Sequence, residues 1–292
     1  MIDLNELETV LQNIKDNAEK YEGEISNLYN NIETISSWKG HVRDNFLDLI
    51  NSDMLSAKIL ISEIKSINDV IENIYNNYNA IGMKIEFNIN KFDSMNTRIA
   101  RIVSNLENIK EKYSSLDTSF CDSSIKSAIN NSKKEVNNVA KKLTNSKNII
   151  KKTSSKIKEN ERKISAAISK VEIKNINITE AQEYVTPKVV GSDGDYMLNT
   201  NDMEGLINSI QNSKSILEDS ISEFENCYRI VIDSYNTKNT EKLNSLFNKV
   251  LEEMNKLEQI HENYVIGIEK YVNDIIEVNS KDFLEGVDLK NG

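Results

Sequence analysis

The stretch that decides the fold is Ile35-Ser36-Ser37-Trp38-Lys39-Gly40-His41-Val42, which lies between two long runs of apolar residues at helical spacing. It contains the single tryptophan of the 292-residue chain and one of its nine glycines. Glycine readily adopts the left-handed backbone conformation that ends many helices, and a tryptophan at this point can cover the end of an apolar seam. The sequence therefore predicts a turn at Trp38 and Gly40 between two helices.

Apolar residues precede this turn in alternating steps of three and four, the heptad spacing of coiled coils and helical bundles. They are Leu4, Leu7, Leu11, Ile14, Ala18, Tyr21, Ile25, Leu28, Ile32 and Ile35. A second seam of the same kind runs from Val42 to Ile81. Because a short connection makes two helices antiparallel neighbours, residues 1–82 are predicted to form a helical hairpin.

Two further pairs of apolar seams follow. Those from Phe92 to Leu116 and from Ile125 to Ile164 predict a second hairpin within residues 83–170. The last pair predicts a third hairpin over 201–280, followed by a tail at 281–292. The predicted fold is thus all-α, an elongated bundle of three successive antiparallel hairpins.

Residues 171–200 are predicted to be an extended linker with turns, and they contain the only proline, Pro187. Apolar residues alternate with period two at 81–90 and again at 171–178, the spacing of a strand. Together with 184–198, these stretches could form a small β-ribbon. The competing interpretation is one continuous helix through Gly82, because the heptad phase nearly persists there.

Composition favours an elongated helical bundle over a compact enzyme, with 38% hydrophobic and 28% charged residues and a net charge of −10. The charge is uneven, since residues 133–163 hold eleven Lys or Arg against three Glu. We interpret this segment as a basic helix packed beside acidic ones, with an anionic partner as the alternative. It has no aromatic residue to stack on bases, so nucleic acid is not an expected partner.

No constellation typical of catalysis, a cofactor or a metal site is evident, and the chain is expected to be non-enzymatic and cofactor-free. His261 occupies a seam position without ligand-spaced neighbours and is interpreted as a core residue. Cys121 has no basic partner nearby in sequence, and Cys121 and Cys227 imply no disulfide framework.

Two long helices joined at Trp38-Lys39-Gly40 resemble the WXG superfamily, helical-hairpin substrates of type VII secretion in Gram-positive bacteria. The resemblance covers residues 1–82, and a more distant one links the chain to LXG-type targeting regions. It implies an interaction motif at Trp38 and Gly40 and a helical-hairpin partner, either a second copy or another WXG- or LXG-type protein. The secretion ATPase is a further candidate partner.

The sequence departs from the export signal of this superfamily, in which a tyrosine is followed four residues later by an acidic residue after the second helix. Tyr78 is followed at that spacing by Gly82. Tyr113 and Asp117 match the pattern, but at the end of the third predicted helix.

The leading hypothesis is a non-enzymatic helical component of type VII secretion, acting as substrate, partner or export adaptor. The acidic start of the chain enters the first seam at once, which predicts secretion without a general secretory signal peptide, or otherwise a cytoplasmic location. One alternative is an α-helical pore-forming or membrane-active protein that uses the apolar stretch at 81–90. Membrane contact is the less favoured expectation. The other alternative is a cytoplasmic coiled-coil scaffold.

Overall fold

The computed structural model describes residues 3–81, 89–187 and 198–288, and within these ranges the chain forms helices and no strand. The all-α prediction is therefore confirmed. The helices are α1 Leu4–Thr34, α2 His41–Asn79, α3 Ile89–Ser115, α4 Ser123–Ile168, α5 Ala181–Val185, α6 Thr200–Ser234 and α7 Thr240–Asp288.

The chain divides into two compact units. One contains Asp3–Asn76 together with Ala166–Gly292, and the other contains Asn77–Ser165. The first and third predicted hairpins thus belong to the same unit, here named the bundle unit. The second predicted hairpin belongs to the other unit, here named the α3–α4 unit.

In the bundle unit, α1 and α2 run antiparallel. Tyr75 near the end of α2 donates a hydrogen bond to Glu8 near the start of α1, at 3.4 Å. Further along, Lys65 pairs with Glu22 at 3.1 Å. The two helices form the hairpin that the heptad seams predict.

The α6–α7 hairpin packs against the first hairpin. Asn13 on α1 donates to Glu223 on α6 at 2.9 Å, which places these two helices side by side. Tyr264 on α7 donates to Asp53 on α2 at 2.9 Å. Each hairpin therefore covers the apolar seams of the other, giving a four-helix arrangement.

Residues 171–187, here named the strap, run along α2 and α7 of the bundle unit. The predicted β-ribbon is wrong for 171–178, which form no strand. The backbone N–H groups of Lys174 and Ile176 donate to carboxylates on the neighbouring helices rather than to another strand. Tyr184 and Val185 lie in the short helix α5 rather than in an extended segment.

The remaining ribbon predictions lie mostly outside the described residues, since 82–88 and 188–197 are not described. Ile81 lies in a turn after α2, and α3 includes residues 89 and 90. The alternative of one continuous helix through Gly82 is wrong, because α2 ends at Asn79 and residues 80–81 form a turn. At the other end of the chain, α7 continues to Asp288, so most of the predicted tail is helical.

Within the α3–α4 unit, the start of α3 lies beside the later part of α4. Asp93 pairs with Lys158 at 3.1 Å. Because the two helices are joined through residues 116–122, this contact makes them antiparallel. Tyr78 also donates a hydrogen bond to the buried carboxylate of Glu161 in this unit.

Candidate functional site

The turn at Trp38 and Gly40 has the geometry that its sequence predicts. Gly40 has φ of 115°, in the left-handed region, and α2 begins at the next residue. The first turn of α2 is closed by a hydrogen bond from Asp44 N–H to the Gly40 carbonyl at 3.2 Å. Arg43 donates to the Glu33 carbonyl at 3.1 Å, which satisfies an acceptor at the end of α1.

Trp38 is buried in the bundle unit, with 1% of its surface exposed. Its ring lies 5.3 Å from Phe46 on α2 and 6.2 Å from Tyr271 on α7, measured between centroids. Its indole nitrogen has no hydrogen-bond partner among the described residues. Trp38 is therefore held by packing, and it joins the turn of the first hairpin to the last helix.

The aromatic cluster continues from Phe46 to the strap. The ring of Phe46 lies 5.7 Å from Tyr184 and 5.9 Å from Tyr264, both in edge-on arrangements. Tyr184 and Tyr264 themselves lie 4.5 Å apart. Edge-to-face ring pairs at these distances contribute beyond the area that they bury. The turn, α2, α7 and the strap thus meet in one buried aromatic cluster.

Side chains from α2 and α7 accept hydrogen bonds from backbone N–H groups of the strap. Glu63 accepts from Lys174 N–H at 3.0 Å, and Glu253 accepts from Ile176 N–H at 2.5 Å. Both carboxylates are buried. An irregular backbone segment cannot pair its own N–H and C=O groups. The two glutamates therefore accept the hydrogen bonds that a neighbouring strand would accept in a sheet.

Side-chain amides bind the carbonyl groups of the strap. Asn263 on α7 donates to the Thr179 carbonyl at 2.9 Å. Asn45 on α2 donates to the carbonyls of Glu183 and Thr186 at 2.6 and 2.8 Å, at the end of α5. The strap is consequently fastened from both sides, to α2 and to α7.

Asp53 lies at the centre of these contacts. Its carboxylate accepts hydrogen bonds from the hydroxyl of Tyr184, from Tyr264 at 2.9 Å and from Thr179 at 3.3 Å. Burial raises the pKa of Asp53, and the three hydroxyl donors oppose part of that rise. These hydrogen bonds hold the strap against α2 and α7. Removing the carboxylate would leave the three hydroxyl groups without this acceptor, which costs free energy.

Two other buried groups near the strap titrate away from their ordinary values. Burial raises the pKa of Glu63, and burial lowers the pKa of His261. His261 is buried as the sequence predicts, and its Nδ1 lies 2.8 Å from the Leu257 carbonyl. Its Nε2 has no partner among the described residues. The cavity beside His261 and Asp53 measures about 10 Å³, too small for an organic ligand.

Other chemistry-bearing residues lie apart from this cluster. Cys227 is buried, and burial raises the pKa of its thiol to about 12. Cys121 is half-buried in the other unit. Across the described ranges, no group of three or more His, Cys, Asp or Glu is placed to hold a metal ion. No described helix has the length and apolar character needed to span a bilayer.

Trp38 and Gly40, the two predicted site residues, thus lie together at the turn, and Trp38 leads directly into the cluster around Asp53. Sequence reasoning missed Asp53, Asn45 and Glu63. Each lies at the edge of the α2 seam, where a polar residue is normally solvated. The one available signal was Tyr184, a large aromatic residue in a segment otherwise read as linker.

Comparison of the chain with family models, curated proteins and solved structures found no match.

Proposed function

We propose that this chain is a non-enzymatic component of the type VII secretion pathway, acting as a secreted substrate, partner or export adaptor. The observation that supports the proposal is the Trp38-Lys39-Gly40 turn between two long antiparallel helices, with Gly40 in the left-handed conformation. That geometry agrees with the hairpin that the WXG resemblance implies.

The bundle unit suggests how such a component would work. In the WXG superfamily a second chain usually supplies the covering hairpin, and here α6 and α7 cover α1 and α2 within one chain. Trp38 contacts Tyr271 of α7, so the motif residue stabilises this internal pairing. The paired hairpins would then be the form recognised by the secretion ATPase or by another WXG- or LXG-type protein.

The surface next to the turn is a candidate for that recognition. A shallow depression there includes the exposed residues Thr34, Lys39 and Asp44 beside the half-buried Ile35. Mixed polar and apolar groups around a rigid turn suit a protein contact more than a small-molecule site. In this proposal Trp38 and Gly40 act by fixing the shape of that surface.

The test is secretion of the tagged full chain from a Gram-positive host with and without its type VII ATPase. We expect ATPase-dependent release of the wild-type chain and of Trp38→Phe, and reduced release of Trp38→Ala. Intracellular levels and the circular dichroism of the purified variants separate an export defect from loss of folding. Equal retention of the wild-type chain in both strains, at normal expression, would refute the proposal and favour the coiled-coil scaffold.

A further inference from the structure

The α3 helix exposes a regular apolar stripe. Met95, Ile102 and Ile109 on α3, with Leu116 just after it, have 46%, 45%, 42% and 51% of their surface exposed. They are spaced by one heptad, and the three on α3 extend over about 21 Å of helix. We name these four residues the α3 stripe. Such a seam is ordinarily covered by another helix.

The partner helix α4 leaves this stripe uncovered because it packs on a neighbouring face. On α3, the half-buried residues form the adjacent face, where two rows repeat every seven positions: Phe92, Ile99, Leu106 and Tyr113, and Asn96, Val103 and Lys110. On α4, the buried residues before Lys158 are Ala140, Ser154 and Ile157. The half-buried face of α3 is therefore a mixture of apolar and polar residues, and the stripe lies exposed beside it. In the bundle unit, by contrast, the apolar seams are buried.

The same hairpin carries a strong positive charge. Residues 89–168 contain 17 Lys or Arg against 8 Asp or Glu, a net charge of +9, and the rest of the chain carries −19. The α4 helix contains twelve basic residues and only three glutamates, so ion pairs within this helix can neutralise few of the positive charges. An apolar seam in a basic setting selects for an acidic occupant.

We propose that the α3 stripe is the docking site for an acidic amphipathic helix of another protein. The stripe is one residue wide and extends over three heptads, so a single helix of about that length can cover it. A second copy docked through the same face would bring together two hairpins of like charge. A membrane surface would be met by a broader apolar face than this stripe provides. The inference concerns a different hairpin from that of Trp38 and holds whether or not the chain is exported.

The experiment measures binding of the full chain to two synthetic 28-residue heptad peptides by fluorescence anisotropy. Both peptides carry Leu or Ile at the core positions, one with Glu and the other with Lys at the flanking positions. We expect the Glu peptide to bind at least tenfold more tightly than the Lys peptide. Ile102→Asp/Ile109→Asp should weaken its binding at least tenfold. The control Ser104→Asp/Asn108→Asp adds the same charge to exposed positions on the opposite face of α3 and should weaken it much less.

Circular dichroism first establishes that both double variants keep their helicity. Equal loss of binding in the two double variants would overturn the proposal, because charge alone would then explain it. Binding of neither peptide would also overturn it. Two further measurements test the other possible occupants of the stripe. Light scattering detects a dimer, and flotation with phosphatidylglycerol vesicles detects binding to a membrane surface. A dimer or a vesicle complex that Ile102→Asp/Ile109→Asp abolishes would assign the stripe to self-association or to lipid instead.

Discussion

The ring of Trp38 lies 6.2 Å from the ring of Tyr271, which joins the turn of the first hairpin to the last helix of the chain. Residues 233 positions apart in sequence therefore close the same end of the bundle unit. Phe46 lies on the other side of Trp38 and continues the contact to Tyr184 on the strap. The stability of the turn and the position of the strap are thus coupled through aromatic packing.

Truncation of Trp38 tests this coupling. Trp38→Ala should lower the free energy of unfolding by about 3–5 kcal/mol, because it removes a fully buried ring and leaves a cavity. Trp38→Phe should lower it much less, since the indole N–H has no partner to lose among the described residues. Urea denaturation followed by circular dichroism measures both values. Equal losses in the two variants would contradict a role based on packing.

Substitution of Gly40 tests the turn itself. Gly40→Ala should destabilise the protein by about 1–2 kcal/mol, because φ of 115° is unfavourable for a residue with a Cβ. The matched control is Gly23→Ala in the middle of α1, where an added Cβ meets nothing within 4 Å. There alanine should stabilise the helix by up to about 1 kcal/mol. The two variants should thus shift the urea midpoint in opposite directions, and a shift in the same direction would argue against a strained turn.

The close approach of α7 to the strap can be tested with a second matched pair of glycine substitutions. A Cβ on Gly267 would lie 2.6 Å from the Ala181 carbonyl oxygen, closer than real Cβ contacts allow. Gly267→Ala should therefore destabilise the protein by about 1–3 kcal/mol, despite the better helix propensity of alanine. Gly205→Ala on α6, with nothing within 4 Å of the added Cβ, should be neutral or stabilising.

Limited proteolysis distinguishes a displaced strap from general loss of folding in Gly267→Ala. We expect faster cleavage within residues 171–187 in this variant than in the wild-type chain, under conditions where both remain folded. Unchanged cleavage and unchanged stability would show that the strap tolerates the added methyl group, contrary to the close packing described above.

Sequence patterns predicted the helices and the turn well because those features depend on local spacing. Three-four alternation identified the long helices, and a glycine at the only break of the first seam located the turn. Small shifts show the limit of the heptad rule, since Val10 rather than Leu11 is buried in α1. A straight helix has 3.6 residues per turn and drifts from a strict seven-residue repeat.

The strap could not be predicted in the same way, because its partners lie far away in sequence. Residues 171–178 alternate as a strand does, but the groups that accept their N–H bonds are Glu63 and Glu253. Nothing in the local sequence distinguishes a strand edge from a segment held by such side chains. The burial of Asp53 likewise follows from the position of the strap and not from the pattern of α2.

The final prediction concerns the pH dependence that Asp53 confers. In the unfolded chain this carboxyl loses its proton near pH ~3.9, and burial raises its pKa in the folded protein. At pH values between the unfolded and the folded pKa of Asp53, the folded state binds more protons than the unfolded state. The resulting stabilisation is complete below the unfolded pKa and is lost as pH rises through the folded pKa. Asp53→Asn removes this dependence.

The measurement is the unfolding free energy of the wild-type chain minus that of Asp53→Asn, taken at intervals from pH 4 to pH 8. This difference should decrease as pH rises. Glu63, whose pKa is also raised, and His261, whose pKa is lowered, are present in both chains and cancel to first order. In a Tyr184→Phe background the decrease should move to higher pH, because the Tyr184 hydrogen bond lowers the pKa of Asp53. A difference that stays constant or increases with pH would show that Asp53 is not held in the buried site described here.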